Sequence, residues 1–156
     1  MHRWLFAILI LVFLSLCYIA GAEDKTVYIL CDPAVTNHVN IRRSPRKDAE
    51  EIGRLDCGDS FVTDGKVKNG YMHVIGMTEY GEGWVNKGYV VTDKPVIEDC
   101  NATVAATGRV KTRWNVNGRK RGWLDVCTDI KIFAHSSEWA VTSEGYVQMK
   151  YLELWE

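Results

Sequence analysis

The sequence has almost no net charge. Lys+Arg 19 against Asp+Glu 20 leaves −1 at pH 7 over 156 residues. A chain this neutral lacks the massed Lys and Arg that a nucleic-acid face needs to neutralise phosphates. Long helical periodicity is missing too. Beyond residue 22 no stretch keeps apolar residues on a helical repeat, so helices are not expected to build the core. No C-x-x-C pair occurs, which argues against a four-cysteine zinc site. A set of groups for catalysis is also absent. His38 precedes a strand-like segment, His73 is expected on the outward face of YMHVI, and His135 lies in the turn composition His-Ser-Ser. Asp56, Asp59, Asp125 and Asp129 recur in turns, where aspartate bonds its own backbone. The expectation is a protein that is not an enzyme and that carries no cofactor and no metal.

One long hydrophobic run is present, at the start. MHRWLFAILILVFLSLCYIAGA over 1–22 has a basic residue, Arg3, then an apolar stretch, then Ala20-Gly21-Ala22 before Glu23. That is the layout of a secretory signal peptide. An uncleaved anchor, or a lipid attached at Cys17, remains the alternative. Each places the body of the protein outside the cytoplasm, secreted or associated with the cell envelope. After cleavage no stable membrane span is expected.

Four cysteines then remain: Cys31, Cys57, Cys100 and Cys127. An even number in an exported chain suggests disulfides, and four cysteines allow three pairings. A repeat favours one of them. Cys31 and Cys100, Ile41 and Val110, and Leu55 and Leu124 are separated by one common offset; GWVNKGYV (83–90) and GYVQMKYL (145–152) share a second, shorter one. GRLDCGD and GWLDVCTD place their cysteines one residue apart on that alignment. The pairing expected is Cys31–Cys57 and Cys100–Cys127, one bridge per repeat. Such staples suit lobes too small to bury a large core.

The segments TVYILC, DSFVTDG, YMHVIGM, DIKIFAH and EWAVTS are short and rich in β-branched and aromatic residues, with Gly, Asn and Asp between them. These are strand signals. In DIKIFAH, Ile130, Ile132 and Ala134 alternate with Lys131 and Phe133, one face apolar. The fold class expected is all-β. The organisation expected is a leader (1–22), a first lobe (23–92), a linker around Pro95 (93–99) and a second lobe (100–156).

VNIRRSP (39–45), IGRLDCGD (52–59), YMHVIG (71–76) and GEGWVNKGYV (81–90) together resemble the bacterial SH3-type (SH3b) domain. The likeness covers about the first lobe. The second lobe is similar but degenerate, with RVKTR for the opening and Tyr146 where Trp84 stands. The resemblance implies two small SH3-like barrels in tandem, and a non-catalytic role in binding cell-wall peptidoglycan or its peptides. The alternative is a protein–protein adaptor in an envelope-associated assembly. No nucleic acid is expected as a partner. The disulfides are not part of the family's common pattern.

Ligand-binding candidates come from aromatic and basic residues. Tyr71, Tyr80 and Trp84 lie in the first repeat, near Arg42 and Arg43. Trp114 and Trp123 flank WNVNGRKRGW in the second, with Arg119 and Arg121 between them. Aromatic faces suit ring stacking, and guanidinium groups suit carboxylate or phosphate. With Arg46 and Lys47 the first group forms one local basic cluster, and with Arg109, Lys111, Arg113 and Lys120 the second forms another at the matching place, in a chain whose total charge is nearly balanced.

Overall fold

The computed structural model describes residues 23–78 and 81–155. The leader and Tyr80 lie outside the described residues. Two antiparallel sheets account for most of the rest, so the all-β expectation holds. The first contains β1 (Lys25–Ile29), β2 (His38–Arg42), β3 (Glu51–Asp56), β4 (Ser60–Thr63), β5 (Val67–Lys68), β6 (Tyr71–Thr78), β7 (Gly81–Asn86) and β8 (Val90–Val91). The second contains β9 (Cys100–Val104), β10 (Val110–Arg113), β11 (Lys120–Leu124), β12 (Asp129–His135), β13 (Trp139–Thr142), β14 (Gly145–Gln148) and β15 (Leu152–Leu154). A 3-10 turn precedes the last strand of each, Lys87–Tyr89 and Met149–Tyr151.

The strand orders are β3-β2-β7-β6-β4-β1-β8, with β5 on β6, and β11-β10-β14-β13-β12-β9-β15. Strand for strand they correspond. The register corresponds as well. Val39 pairs with Leu55 as Val110 pairs with Leu124, and each ladder shifts at its last step, before Arg42 and before Arg113. Arg42 then pairs with Trp84, and Arg113 with Tyr146. The octets GWVNKGYV and GYVQMKYL are therefore one structural unit, strand, 3-10 turn, strand. Their glycines sit where a neighbouring strand comes close. A Cβ on Gly83 would strike Ile41 Cγ2, and one on Gly145 would lie 2.5 Å from the Arg113 carbonyl.

Alternation sets the cores. Along β12, Ile130, Ile132 and Ala134 are buried between exposed or half-buried neighbours. One cluster in the first sheet gathers Val27, Ile29, Phe61, Val74 and Val85. A second, in the other sheet, gathers Ala102, Val104, Leu124, Ile132 and Val147. The third joins the sheets: Leu30 and Val91 pack with Val116, Trp139, Val141 and Tyr146. There the Tyr146 hydroxyl donates to the Leu30 carbonyl at 3.1 Å, and Val116 N donates to Gly88 O at 2.8 Å. Burial, with Tyr89 and Asp32 nearby, pushes the Tyr146 phenol far above its ordinary range, so it stays a donor. The segment before β9 is tied to the second sheet through a Val96–His135 bridge and a Ser137 N bond to Asp93.

Cys31 and Cys57 are joined. The expected second bridge is not formed: Cys100 and Cys127 are free thiols. Register explains the difference. Ala105 N donates to Tyr151 O as Leu30 N donates to Tyr89 O, so Ala106, and not Cys100, stands where Cys31 does. Cys100 opens β9 opposite Ile132, whereas Cys127 N bonds Val104 O at the other end of that strand. Four strand steps are about 13 Å. A disulfide needs Cα atoms within roughly 7 Å. Cys127 in fact occupies the place of Gly58, whose amide bonds Ile29 O. Both are in the left-handed region, at φ 61 and φ 91. The one-residue slip between GRLDCGD and GWLDVCTD moves the cysteine from the bridging position onto the turn.

Candidate functional site

Because the sheets share a register, each has a cleft at the same place, between its opening strand and its 3-10 turn. Val39, Arg42, Asn86 and Tyr89 line the first, of about 380 Å³. Val110, Arg113, Gln148 and Tyr151 line the second, of about 580 Å³. The frame is built the same way twice. Arg42 Nη1 donates to the Ala49 carbonyl at 2.7 Å, and Arg113 Nη1 donates to the Gly118 carbonyl at 2.7 Å. Each arginine thereby closes the loop that follows its strand, and in the first sheet that loop contributes Lys47 to the cleft.

The side chains set on this frame differ. In the first cleft, His38 and Asn40 lie beside Arg42, and Glu51 gathers both of the latter. Asn40 Nδ2 donates to Glu51 Oε1 at 2.6 Å, and Arg42 Nη2 is 3.2 Å from the same oxygen. Arg43 pairs with Glu50 at 2.6 Å. That contact holds the Glu50 carboxyl below its ordinary range. Arg42 and Arg43 are thus met by carboxylates of β3 and the residue before it, while Lys47, which also lines the first cleft, has no carboxylate within ion-pair distance among the described residues.

In the second cleft those carboxylates are replaced by cations. Glu51, opposite Arg42, becomes Lys120, opposite Arg113. Glu50, whose carbonyl accepts from Arg43 N, becomes Arg119, whose carbonyl accepts from Trp114 N. Asn40 becomes Lys111, and its partner Arg54 becomes Trp123. Arg109, Lys111 and Lys120 surround the Trp123 ring at 5.4, 5.6 and 5.1 Å from its centroid. Arg121 lies over Trp114 at 5.0 Å. Among the described residues, none of these five basic groups nor Arg113 lies within ion-pair distance of a carboxylate.

The structure divides the candidate residues. Arg42 and Tyr71 line the first cleft, and Trp123 lines the second. Trp114 and Arg121 form an exposed pair that does not line the second, with Trp114 60% exposed. Arg119 is exposed at the end of the same loop. Arg43 serves its ion pair with Glu50. Trp84 is half-buried and packs on His73, with ring centroids 4.8 Å apart. Arg109, Lys111 and Lys120 belong to the site and were visible in sequence only as members of a basic cluster. Their common face follows from the alternation of β10 and its pairing with β11.

His73 lies on the outward face of β6, opposite the core residues Met72 and Val74, as expected, but it is covered there. It is 8% exposed, with Nδ1 3.1 Å from Asp64 Oδ2 and Nε2 3.3 Å from Glu82 Oε2. The short strand β5 pairs with the edge of β6, and Lys66 O accepts from His73 N. Partial burial pushes the Asp64 carboxyl up, but hydrogen bonds from Lys66 and His73 outweigh it and hold the group down at about 2. The cluster is an ion-paired clasp over the outside of the sheet. Among the described residues no group of His, Cys, Asp and Glu is arranged to hold a metal ion, and no helix is long and apolar enough to cross a membrane.

No family model and no curated protein matches the chain. Solved structures similar to it include NlpC1 and NlpC2 from Trichomonas vaginalis. Their TM-scores are 0.38 and 0.37, at 16% and 14% identity over 86% and 85% of this chain. The chain spans about half the length of each, 47% and 48%. The endolysin LysPBC5 CBD is similar at a TM-score of 0.31 and 12% identity, over 86% of this chain and 94% of that one.

Proposed function

We propose that this protein is a non-catalytic binding module of the cell envelope that recognises cell-wall peptidoglycan or its peptides. In this reading it is a tandem of two SH3b-like barrels, over 23–92 and 100–156, exported behind the leader 1–22. The observation that carries it is the pair of open clefts at one topological position, lined by tyrosine or tryptophan, amide and basic side chains. Aromatic faces suit sugar rings and apolar stems, amides suit peptide groups, and cations suit stem carboxylates. The Cys31–Cys57 bridge supports an oxidising compartment. The absence of turnover is part of the proposal. The bridged thiols are consumed, and His73 is enclosed by its carboxylate partners and Trp84 rather than open to a substrate.

Sedimentation with purified sacculi tests the reading. The protein from Glu23 onward is expected in the pellet at physiological salt and in the supernatant after the glycan is digested. Equal recovery in the supernatant with and without sacculi would overturn wall binding. Co-purification with one acidic envelope protein would then favour the adaptor.

A further inference from the structure

From the cations gathered in the second cleft, we infer that the two clefts have diverged in ligand chemistry. The second takes repeated anionic groups on a wall polymer, and the first does not. This rests on the envelope-binding reading for the source of the polymer, though not for the charge of the site.

At equivalent register positions Arg42 faces Glu51, while Arg113 faces Lys120. Placing like charges directly opposite across a ladder is unfavourable. Lys111, Lys120 and Arg109 are also gathered around one indole. An aromatic face attracts cations but does not neutralise them. Six basic residues thus lie on or beside the β10–β11 ladder, and among the described residues none is within ion-pair distance of a carboxylate, in a chain whose net charge is −1. An incoming anion supplies the missing balance. Lys111 and Arg113 project from alternate positions of one strand. The face therefore presents charge in steps, which suits a polymer bearing an anion at each repeat better than a single small ion. Trp123, 44% exposed, offers a ring face beside them for the sugar or polyol that carries the anion. In the first cleft the same positions hold Asn40, Glu51 and Arg54, and Glu51 already occupies the arginine.

The shared chemistry is phosphate or carboxylate on a glycan or polyol chain. Three probes separate the sources: native sacculi, sacculi stripped of phosphodiester-linked polymer by hydrofluoric acid, and sacculi with carboxylates amidated. The test uses the protein from Glu23 onward and its double variant Arg119→Glu with Lys120→Glu, which installs acids where the first sheet has them. A second variant, Lys111→Gln, guards against a folding artefact. Lys68→Glu, exposed on β5, controls for net charge. The expected result is a loss of about tenfold or more in affinity for native sacculi in the double variant, as for other charge-assisted contacts. A smaller loss is expected in Lys111→Gln and none in Lys68→Glu. Loss with stripped sacculi assigns phosphate, and loss with amidated sacculi assigns carboxylate.

If the protein binds sacculi and the double variant binds as Lys68→Glu does, the anion cleft is wrong and the wall reading stands. If soluble inorganic polyphosphate is bound in a Lys120-dependent way but sacculi are not, the cleft stands and the wall reading falls. Binding to neither overturns both. Displacement from sacculi by an equal concentration of single-stranded oligonucleotide overturns the assignment to a wall polymer.

Discussion

Arg113 and Lys120 face each other across the β10–β11 ladder, cation against cation, at the step where Arg42 faces Glu51 at 3.2 Å in the other sheet. The pair is unfavourable for folding, which makes it informative. A Lys120→Glu substitution is expected to stabilise the protein by about 0.2–1 kcal/mol, the range of a cross-strand charge pair. Thermal melting at low salt checks the sign, and the gain should shrink as salt is added. A loss of stability would show that Lys120 is held by something other than its register partner.

The junction between the sheets can be probed with one atom. In Tyr146→Phe the Leu30 carbonyl, fully buried, loses the hydroxyl that donates to it at 3.1 Å. Leaving a buried acceptor without its donor costs about 1–3 kcal/mol. Urea denaturation should show the midpoint falling while the transition stays single. A transition that splits in two would mean that the sheets unfold independently.

Glycine at 145 is required on two counts, φ 108 and the Arg113 carbonyl 2.5 Å from any Cβ. Gly65, at φ 77, has nothing within 4 Å of the same position. Both Gly→Ala variants carry the backbone term, of order 1–3 kcal/mol. Gly145→Ala should be the more destabilising by denaturant titration, and the difference isolates the close approach of β14 to β10.

Cysteine chemistry separates the two sheets. Non-reducing digestion of the protein from Glu23 onward should give a peptide joining Cys31 to Cys57, with Cys100 and Cys127 both alkylated. Cys127 is exposed. Burial pushes the Cys100 thiol up, and Glu98 and Asp99 push it further, so less of it is thiolate. Cys127 is therefore expected to label first in a time course at neutral pH. A Cys100–Cys127 peptide would contradict the register of β9.

Acid should loosen the first sheet through Asp64. Its carboxyl is lowered from an ordinary value near 4 to about 2 in the fold. A depressed carboxyl contributes stability that is complete above the unfolded value and is lost as pH falls through the folded one. The melting temperature of the native protein should therefore drop between about pH 4 and pH 2 more steeply than that of Asp64→Asn. Parallel curves would remove Asp64 from the acid response.

The repeat was readable in the sequence wherever side chains report on the backbone. The octets carried Gly, an aromatic and Val in order, and Leu55 and Leu124 marked the same step of β3 and β11. Offsets misled where the intervening loops changed length. Cys31 and Cys100 looked equivalent because each precedes its apolar partner, Ile41 or Val110, by the same interval, yet the ladders match Val110 to Val39 and Thr112 to Ile41, and β9 is aligned by Val104 rather than by its first residue. The candidate site was half legible. A basic cluster and two tryptophans stood out, but the loss of Glu50 and Glu51 as neutralising partners becomes visible only when the ladders are superposed. The burial of His73 was missed because the groups that cover it, Asp64, Glu82 and Trp84, lie on other segments and two of them are charged.

The bridge and the junction together bear on how the chain acquires its structure. The amino-terminal half carries its own crosslink, Cys31–Cys57, which restricts the unfolded chain and favours its packed form. The later half has no lock of its own and completes its packing by laying Trp139, Val141 and Tyr146 against Leu30 and Val91. The earlier half is thus a template for the later one. Reducing a single sulfur–sulfur bond should then weaken a sheet that contains neither of its cysteines.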